Sequence, residues 1–137
     1  VSLPKNKKME FQEKLSNAVA SGLLAIAVSL GALGSHFLKA RLTNEALDSF
    51  EVGVRYLMYH ALAIILINNI TYIQSESKDI FVKLVLAGVF LFSGSIFLLS
   101  TKQLHGLPVK YLGPVTPTGG VLIISAWVYL TLSFLKK

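Results

Sequence analysis

The sequence predicts an all-α membrane protein, a bundle of four transmembrane helices joined by short loops. Hydrophobic residues make up 53% of the 137 residues and charged residues only 15%, with a mean hydropathy of +0.63, which is far from soluble averages. Four apolar segments are each long enough to cross about 30 Å of hydrocarbon. Most of them lack the polar face of a soluble helix. We therefore expect a single domain over residues 1–137.

The first predicted span covers residues 15–38 and includes AVASGLLAIAVSLGALGSHFL. The polar stretch before it lacks a small-residue cleavage site after a short apolar core, so we expect no removable signal peptide. Ala27, Gly31 and Ser35 repeat at four-residue spacing, which lets another helix approach closely. We expect these three residues to form a packing face, and a bulky substitution at Gly31 to disrupt it.

The second predicted span covers residues 52–72. Thr43 is suited to cap the start of this helix, where acidic residues follow within the first turns. Residues 43–51 are amphipathic, so the pattern allows them either to stand upright or to lie on the membrane surface.

The third and fourth predicted spans cover residues 80–100 and 117–135. A polar connection, residues 74–79, precedes the third, and a stretch with two glycines and two prolines precedes the fourth, which marks a loop. Thr116 is expected to cap the fourth helix. Gly94, Gly119 and Gly120 are expected to allow close packing or local bending.

Lysine and arginine residues are distributed unequally between the two sides of this topology. Eight lie on the side of the termini and five on the other, as follows: Lys5, Lys7, Lys8, Lys14, Lys78, Lys83, Lys136 and Lys137 against Lys39, Arg41, Arg55, Lys102 and Lys110. Because basic residues favour the cytoplasmic side, we expect both termini in the cytoplasm.

Four stretches of the sequence resemble one protein family. They are G-A-L-G-S-H at 31–36, F-E-V-G-V-R-Y-L-M-Y-H-A-L-A at 50–63, F-S-G-S at 92–95 and L-G-P-V-T-P-T-G-G at 112–120. These residues are similar to the domain-of-unknown-function 423 proteins, small bacterial inner-membrane proteins that share a domain with eukaryotic transmembrane protein 256. The resemblance implies a four-helix fold and a location in the bacterial cytoplasmic (inner) membrane. It implies no activity, because the family has none agreed.

His60 and Trp127 are the first candidates for an intramembrane polar site. His60 lies about eight residues, roughly 12 Å, inside the second span, where an ionisable residue is a functional candidate by default. The alternative is a neutral imidazole that bonds a neighbouring helix. Trp127 lies near the middle of the fourth span, so its indole N–H needs a partner inside the protein. We expect that partner to be His60 or a backbone carbonyl near residues 93–95.

Glu51, Arg55 and Tyr59 form a second candidate, because they follow one another at four-residue spacing on one helix face. Glu51 precedes Arg55 in the order that favours a helical ion pair. If this face is buried, the pair suggests a binding or gating role. If it lies at headgroup level, the pair is solvated and contributes little.

His36, Lys39 and Arg41 are a third candidate, at the end of the first span. They suit contact with lipid phosphate or another anion, or they anchor the helix end and complement its dipole. His36 and His60 are too far apart along an antiparallel hairpin to share a site within one chain. The sequence therefore predicts no metal site and no cofactor within one chain, and leaves open a zinc or haem site formed across a homo-oligomer.

Three functions remain open at this point. We favour a non-enzymatic accessory, assembly or interaction component of a membrane complex, because no catalytic constellation is assembled. The alternatives are a small oligomeric transporter or channel and a membrane enzyme acting on a lipid or quinone through His60. The expected partners are the lipid bilayer and other membrane subunits or further copies of the chain. Nucleic acid is not expected, since the basic residues form no continuous stripe.

Overall fold

The structure, a computed structural model, describes residues 4–136 of the chain. Its α-helices are α1 (Lys5–Ser35), α2 (Asn44–Asn68), α3 (Ser75–Ser100), the one-turn α4 (Lys102–His105) and α5 (Val115–Leu135). Single 3-10 turns, Leu38–Ala40 and Lys110–Leu112, lie in two of the connections. Four of the helices, α1, α2, α3 and α5, are long and apolar enough to cross a membrane. The predicted fold class, an all-α membrane protein with four transmembrane helices, is confirmed.

The long helices pack in chain order. Helix α1 packs against α2, α2 against α3 and α3 against α5, whereas α1 approaches α3 at few positions. The core therefore follows α2 and α3, and its largest fully buried side chains include Ile64, Phe81 and Val85. Much of α1 and α5 faces outward, as expected of helices whose outer surface meets lipid rather than water.

The helix boundaries correct the sequence analysis at three places. Helix α2 ends at Asn68 rather than near residue 72, and α3 begins at Ser75, so most of the predicted 74–79 connection is the polar first turn of a helix. Thr43 caps α2 as predicted by accepting from the Ala46 N–H at 3.1 Å. Thr116 does not cap α5, which starts at Val115. Residues 44–51 continue directly into the spanning part of α2 as one helix.

The α1–α2 seam uses a different set of small residues from the one predicted. Ala20, Ala27 and Gly34, spaced seven residues apart, are buried, which is the repeat that keeps one face against a neighbouring helix. Gly31 is only half-buried, and a Cβ added there would lie 3.7 Å from Val54, an ordinary contact. Ser35 is exposed and bonds back to its own helix. The predicted face is therefore right at Ala27 and wrong at Ser35.

Helices α3 and α5 meet backbone to backbone at two glycines. A Cβ added at Gly119 would overlap the Phe92 nitrogen and lie 2.7 Å from the Gly88 carbonyl oxygen. A Cβ at Gly88 would lie 3.0 Å from the Gly119 carbonyl oxygen. The packing role predicted for Gly119 is confirmed. Gly94 has open space around its missing Cβ, which leaves local bending as its predicted role, and a Cβ at Gly120 would make only ordinary contact with Phe92.

Candidate intramembrane polar site

A hydrogen bond between His60 and Trp127 joins α2 to α5. The Trp127 Nε1–H donates to His60 Nε2 at 3.0 Å, and His60 Nδ1 lies 2.7 Å from the Tyr56 carbonyl oxygen. An indole N–H only donates and a carbonyl only accepts. His60 must therefore be neutral, with its proton on Nδ1 and a lone pair on Nε2. His60 was one of the two partners that the sequence proposed for Trp127.

Aromatic rings surround this hydrogen bond. The Tyr56 ring stacks on His60 with centroids 5.9 Å apart, and Phe81 contacts Trp127 edge-on at 5.1 Å. His60 is buried with 6% exposure, whereas Trp127 is 40% exposed. Aromatic contacts of this kind add to the packing energy. They also fix both rings in the orientation that the hydrogen bond needs.

His60 has no nitrogen left for chemistry in this arrangement. Its Nδ1–H is engaged by the Tyr56 carbonyl and its Nε2 lone pair by Trp127. A general base or a metal ligand needs a lone pair that faces the reacting group. The geometry therefore makes His60 a link between helices, of the kind that holds a membrane bundle in register.

Two further hydrogen bonds join helices in the half of the bundle that contains the start of α2. The buried Ser93 hydroxyl donates to the Gly53 carbonyl oxygen at 2.8 Å, linking α3 to α2. Ser95 and Thr116 share a hydroxyl hydrogen bond that links α3 to α5. The close approach of α2 and α3 depends on Gly53, where an added Cβ would lie 2.7 Å from the Phe97 ring. The sequence did not single out Gly53 and Gly88, because which glycine faces a neighbouring helix depends on helix rotation, which packing sets.

Glu51, Arg55 and Tyr59 all lie on the outer face of α2, and we call them the α2 outer stripe. All three are exposed, Tyr59 at 55%. Among residues 4–136, the Glu51 carboxylate and the Arg55 guanidinium form no salt bridge, with each other or with another side chain. The predicted ion pair is therefore wrong. Both side chains are exposed and line a crevice between α1 and α2.

The depth of the α2 outer stripe follows from the contacts of α2 with α3. Gly53 lies beside Ser93 and Phe97, and the apolar part of α3 ends at Leu99. Because the helices are antiparallel, Arg55 is level with residues 92–93 of α3. Its Cα therefore lies about 10 Å from the end of the apolar part of α3, and about 5 Å from residue 52, where the apolar part of α2 begins, at 1.5 Å per residue. Tyr59, one turn further along, lies near the middle.

The third predicted cluster lies at the end of α1. His36, Lys39 and Arg41 are all exposed. The Arg41 guanidinium donates to the Phe37 carbonyl oxygen at 3.0 Å and lies 3.7 Å above the Phe37 ring. Arg41 therefore fastens the 3-10 turn that follows α1, which fits the anchoring interpretation of this cluster. His105 is likewise tied to backbone, through Leu98 and Leu107.

A polar cluster that the sequence did not predict joins α1, α2 and α3 at the opposite end of the bundle. The buried Lys78 ammonium donates to the Asn68 carbonyl oxygen at 3.2 Å and lies 3.4 Å from the Glu13 carboxylate. The Asn68 side chain donates to Ser16 and Asn17, both at 2.8 Å. The sequence signal was a lysine at the edge of an apolar run, which we interpreted as part of a loop.

Similar proteins are found among bacteria. The family model described as "Protein of unknown function (DUF423)" matches residues 30–120. UPF0382 membrane protein SAB0533 of Staphylococcus aureus is 36% identical over 111 residues, which cover 81% of this chain and 87% of that protein. UPF0382 membrane protein YwdK of Bacillus subtilis is 34% identical over 113 residues, covering 81% and 88%. No solved structure matches significantly. The chain belongs to the DUF423 family of membrane proteins of unknown function.

Proposed function

We propose that this protein is a non-enzymatic component of a membrane assembly, one that acts through contacts between transmembrane helices. We further propose that it lies in the cytoplasmic (inner) membrane of a bacterium with both termini in the cytoplasm. The excess of lysine and arginine on the side of the termini, eight against five, supports that orientation.

The observation that carries this proposal is the contrast between the inside and the outside of the bundle. Inside, His60, Trp127 and Ser93 satisfy one another or the backbone across helices. Outside, the α2 outer stripe places an acid, a base and a phenol at membrane depth with no ion pair among residues 4–136. Charged residues in spanning segments nearly always face protein or a water-filled cavity. The stripe is therefore suited to meet another protein surface.

The alternatives receive less support from the same contacts. An enzyme that uses His60 as an acid or base needs a free ring nitrogen, and both nitrogens are engaged. A transporter or channel needs a polar path across the membrane. The polar groups of the α2 outer stripe stop near the bilayer middle, at Tyr59.

Copurification from native membranes tests the proposal. The tagged chain is extracted gently, and the protein chains that elute with it are quantified by mass spectrometry, with a second, differently tagged copy expressed in the same cells. We expect at least one chain, a foreign subunit or the second copy, in stoichiometric amount. Arg55→Glu should reduce that amount, and Val128→Ala, on the exposed face of α5, should not. Recovery of the bare chain alone would contradict the proposal.

A further inference from the structure

We infer that the α2 outer stripe is the contact surface between two copies of this chain, related by a two-fold axis along the membrane normal. The inference rests on the proposed function, since it names the partner and the surface for an interaction protein. It concerns the side chains that the protomer leaves unused, rather than the His60–Trp127 link inside the bundle.

The first step is the energetic position of Arg55. Its Cα lies about 5–10 Å inside the apolar region, and its side chain is exposed on the outer face of α2. In a helix such a side chain points back towards the helix N-terminus, so the guanidinium lies on the same side as Glu51. A cation at this depth is costly unless it meets an anion. The Glu51 carboxylate of the same chain does not pair with it.

The second step is charge complementarity between two copies. Two-fold symmetry brings the same patch of both chains together, so that residue i meets residue j and residue j meets residue i. With the axis along the membrane normal, the two Glu51 residues lie at one level and the two Arg55 residues at another, so each Arg55 side chain must reach along the helix to the other copy's Glu51. The four-residue offset between them is about 6 Å along the helix, a distance that the two long side chains can bridge. A surface with only one sign of charge would not pair with itself.

The third step is the shape and polarity of the surrounding surface. A crevice of about 200 Å³ lies at the α1–α2 seam beside the stripe, lined by Gly31, Gly34 and Ser35 together with Glu51 and Arg55. Small residues of this kind allow a second helix to approach closely. Below it, the exposed Tyr59 hydroxyl has no hydrogen-bond partner among residues 4–136. A hydroxyl in hydrocarbon needs one, and a second copy would supply it.

Disulfide formation between single cysteines reports this contact directly, because the natural chain contains no cysteine. Leu62 lies seven residues beyond Arg55 and is 45% exposed on the same face. Val128 of α5 lies at nearly the same depth and is 54% exposed, which makes it a matched control. Under mild oxidation in native membranes, Leu62→Cys should form a species of twice the 14.9 kDa chain mass, and Val128→Cys should not.

Charge reversal then tests the pairing itself. In the Leu62→Cys chain, Glu51→Arg or Arg55→Glu alone should slow cross-linking by about tenfold, which corresponds to about 1.4 kcal/mol. The double variant Glu51→Arg/Arg55→Glu should restore it, because the reciprocal pairs re-form with opposite signs. Recovery of cross-linking in the double variant also shows that each single variant loses cross-linking because of its changed charge and not because of misfolding.

Two results would overturn the inference. Equal cross-linking at Leu62→Cys and Val128→Cys would indicate random collision. Single reversals that leave cross-linking unchanged, or a double variant that does not recover, would indicate that Arg55 meets lipid phosphate or another subunit. If other subunits still copurify in that case, only the second copy is refuted and the proposed function stands. If nothing copurifies, both fail.

Discussion

The glycine contact between α3 and α5 gives the sharpest prediction of stability. In Gly119→Ala the new Cβ would overlap the Phe92 nitrogen and lie 2.7 Å from the Gly88 carbonyl oxygen. Ordinary Cβ contacts begin near 3.4 Å, so the helices must separate by at least about 0.7 Å at the Gly88 oxygen. Both neighbours are backbone atoms, which cannot rotate away as a side chain can.

The expected cost of Gly119→Ala is about 2–3 kcal/mol, towards the upper end for overpacked sites. Gly120→Ala is the matched control, one residue further along the same helix. Its new Cβ would lie 3.8 Å from the Phe92 ring, and the helix gains about 0.5–1 kcal/mol when alanine replaces glycine. Thermal unfolding of both variants in the same detergent measures the difference. Equal melting temperatures for the two variants would refute the described crossing of α3 and α5.

Three other predictions concern the polar and close contacts. Trp127→Phe keeps most of the aromatic surface but removes the donor to His60 Nε2. A double-mutant cycle with His60→Leu should therefore give a coupling free energy of about 0.6–1.7 kcal/mol. A coupling of zero in thermal unfolding would argue against the hydrogen bond. Lys78→Met should lower the melting temperature more than Glu13→Gln, because Lys78→Met removes the donor of the Asn68 carbonyl. Glu13→Gln keeps an amide oxygen that can accept from Lys78, and the reverse order of melting temperatures would contradict this. Gly53→Ala should lower the free energy of unfolding by about 1 kcal/mol, less than Gly119→Ala, because the nearest neighbour of its new Cβ is the Phe97 ring, which can shift. Equal losses of stability in the two variants would show that α2 and α3 are as rigidly packed as α3 and α5.

The number of spans and the fold class could be predicted because hydrocarbon leaves few choices. A backbone without water must bond to itself, so a long apolar segment becomes a helix. The same reasoning found a partner for Trp127, because its N–H at mid-membrane needs an acceptor inside the protein. Both predictions follow from the solvent and need no knowledge of how the helices are rotated.

Helix rotation explains most of what the sequence did not reveal. Gly94 and Gly88 lie on the same helix, yet only Gly88 faces α5, because rotation is set by packing against neighbours. Glu51 and Arg55 have the spacing of an ion pair, but their exposed side chains do not meet. Lys78 was assigned to a loop, since its partners Asn68 and Glu13 lie 10 and 65 residues away. Contacts that join distant segments leave no local pattern.

Native mass spectrometry of the wild-type chain, released from native membranes with its bound lipids and partners, tests the central claim most directly. The proposed role as an assembly component predicts a particle that contains more than one protein chain, two copies of this one or copies together with other subunits. It also predicts that Arg55→Glu shifts the particle towards the single-chain mass. A wild-type particle consisting of one chain with a single small molecule bound in a fixed ratio would contradict the claim and favour an enzyme or carrier.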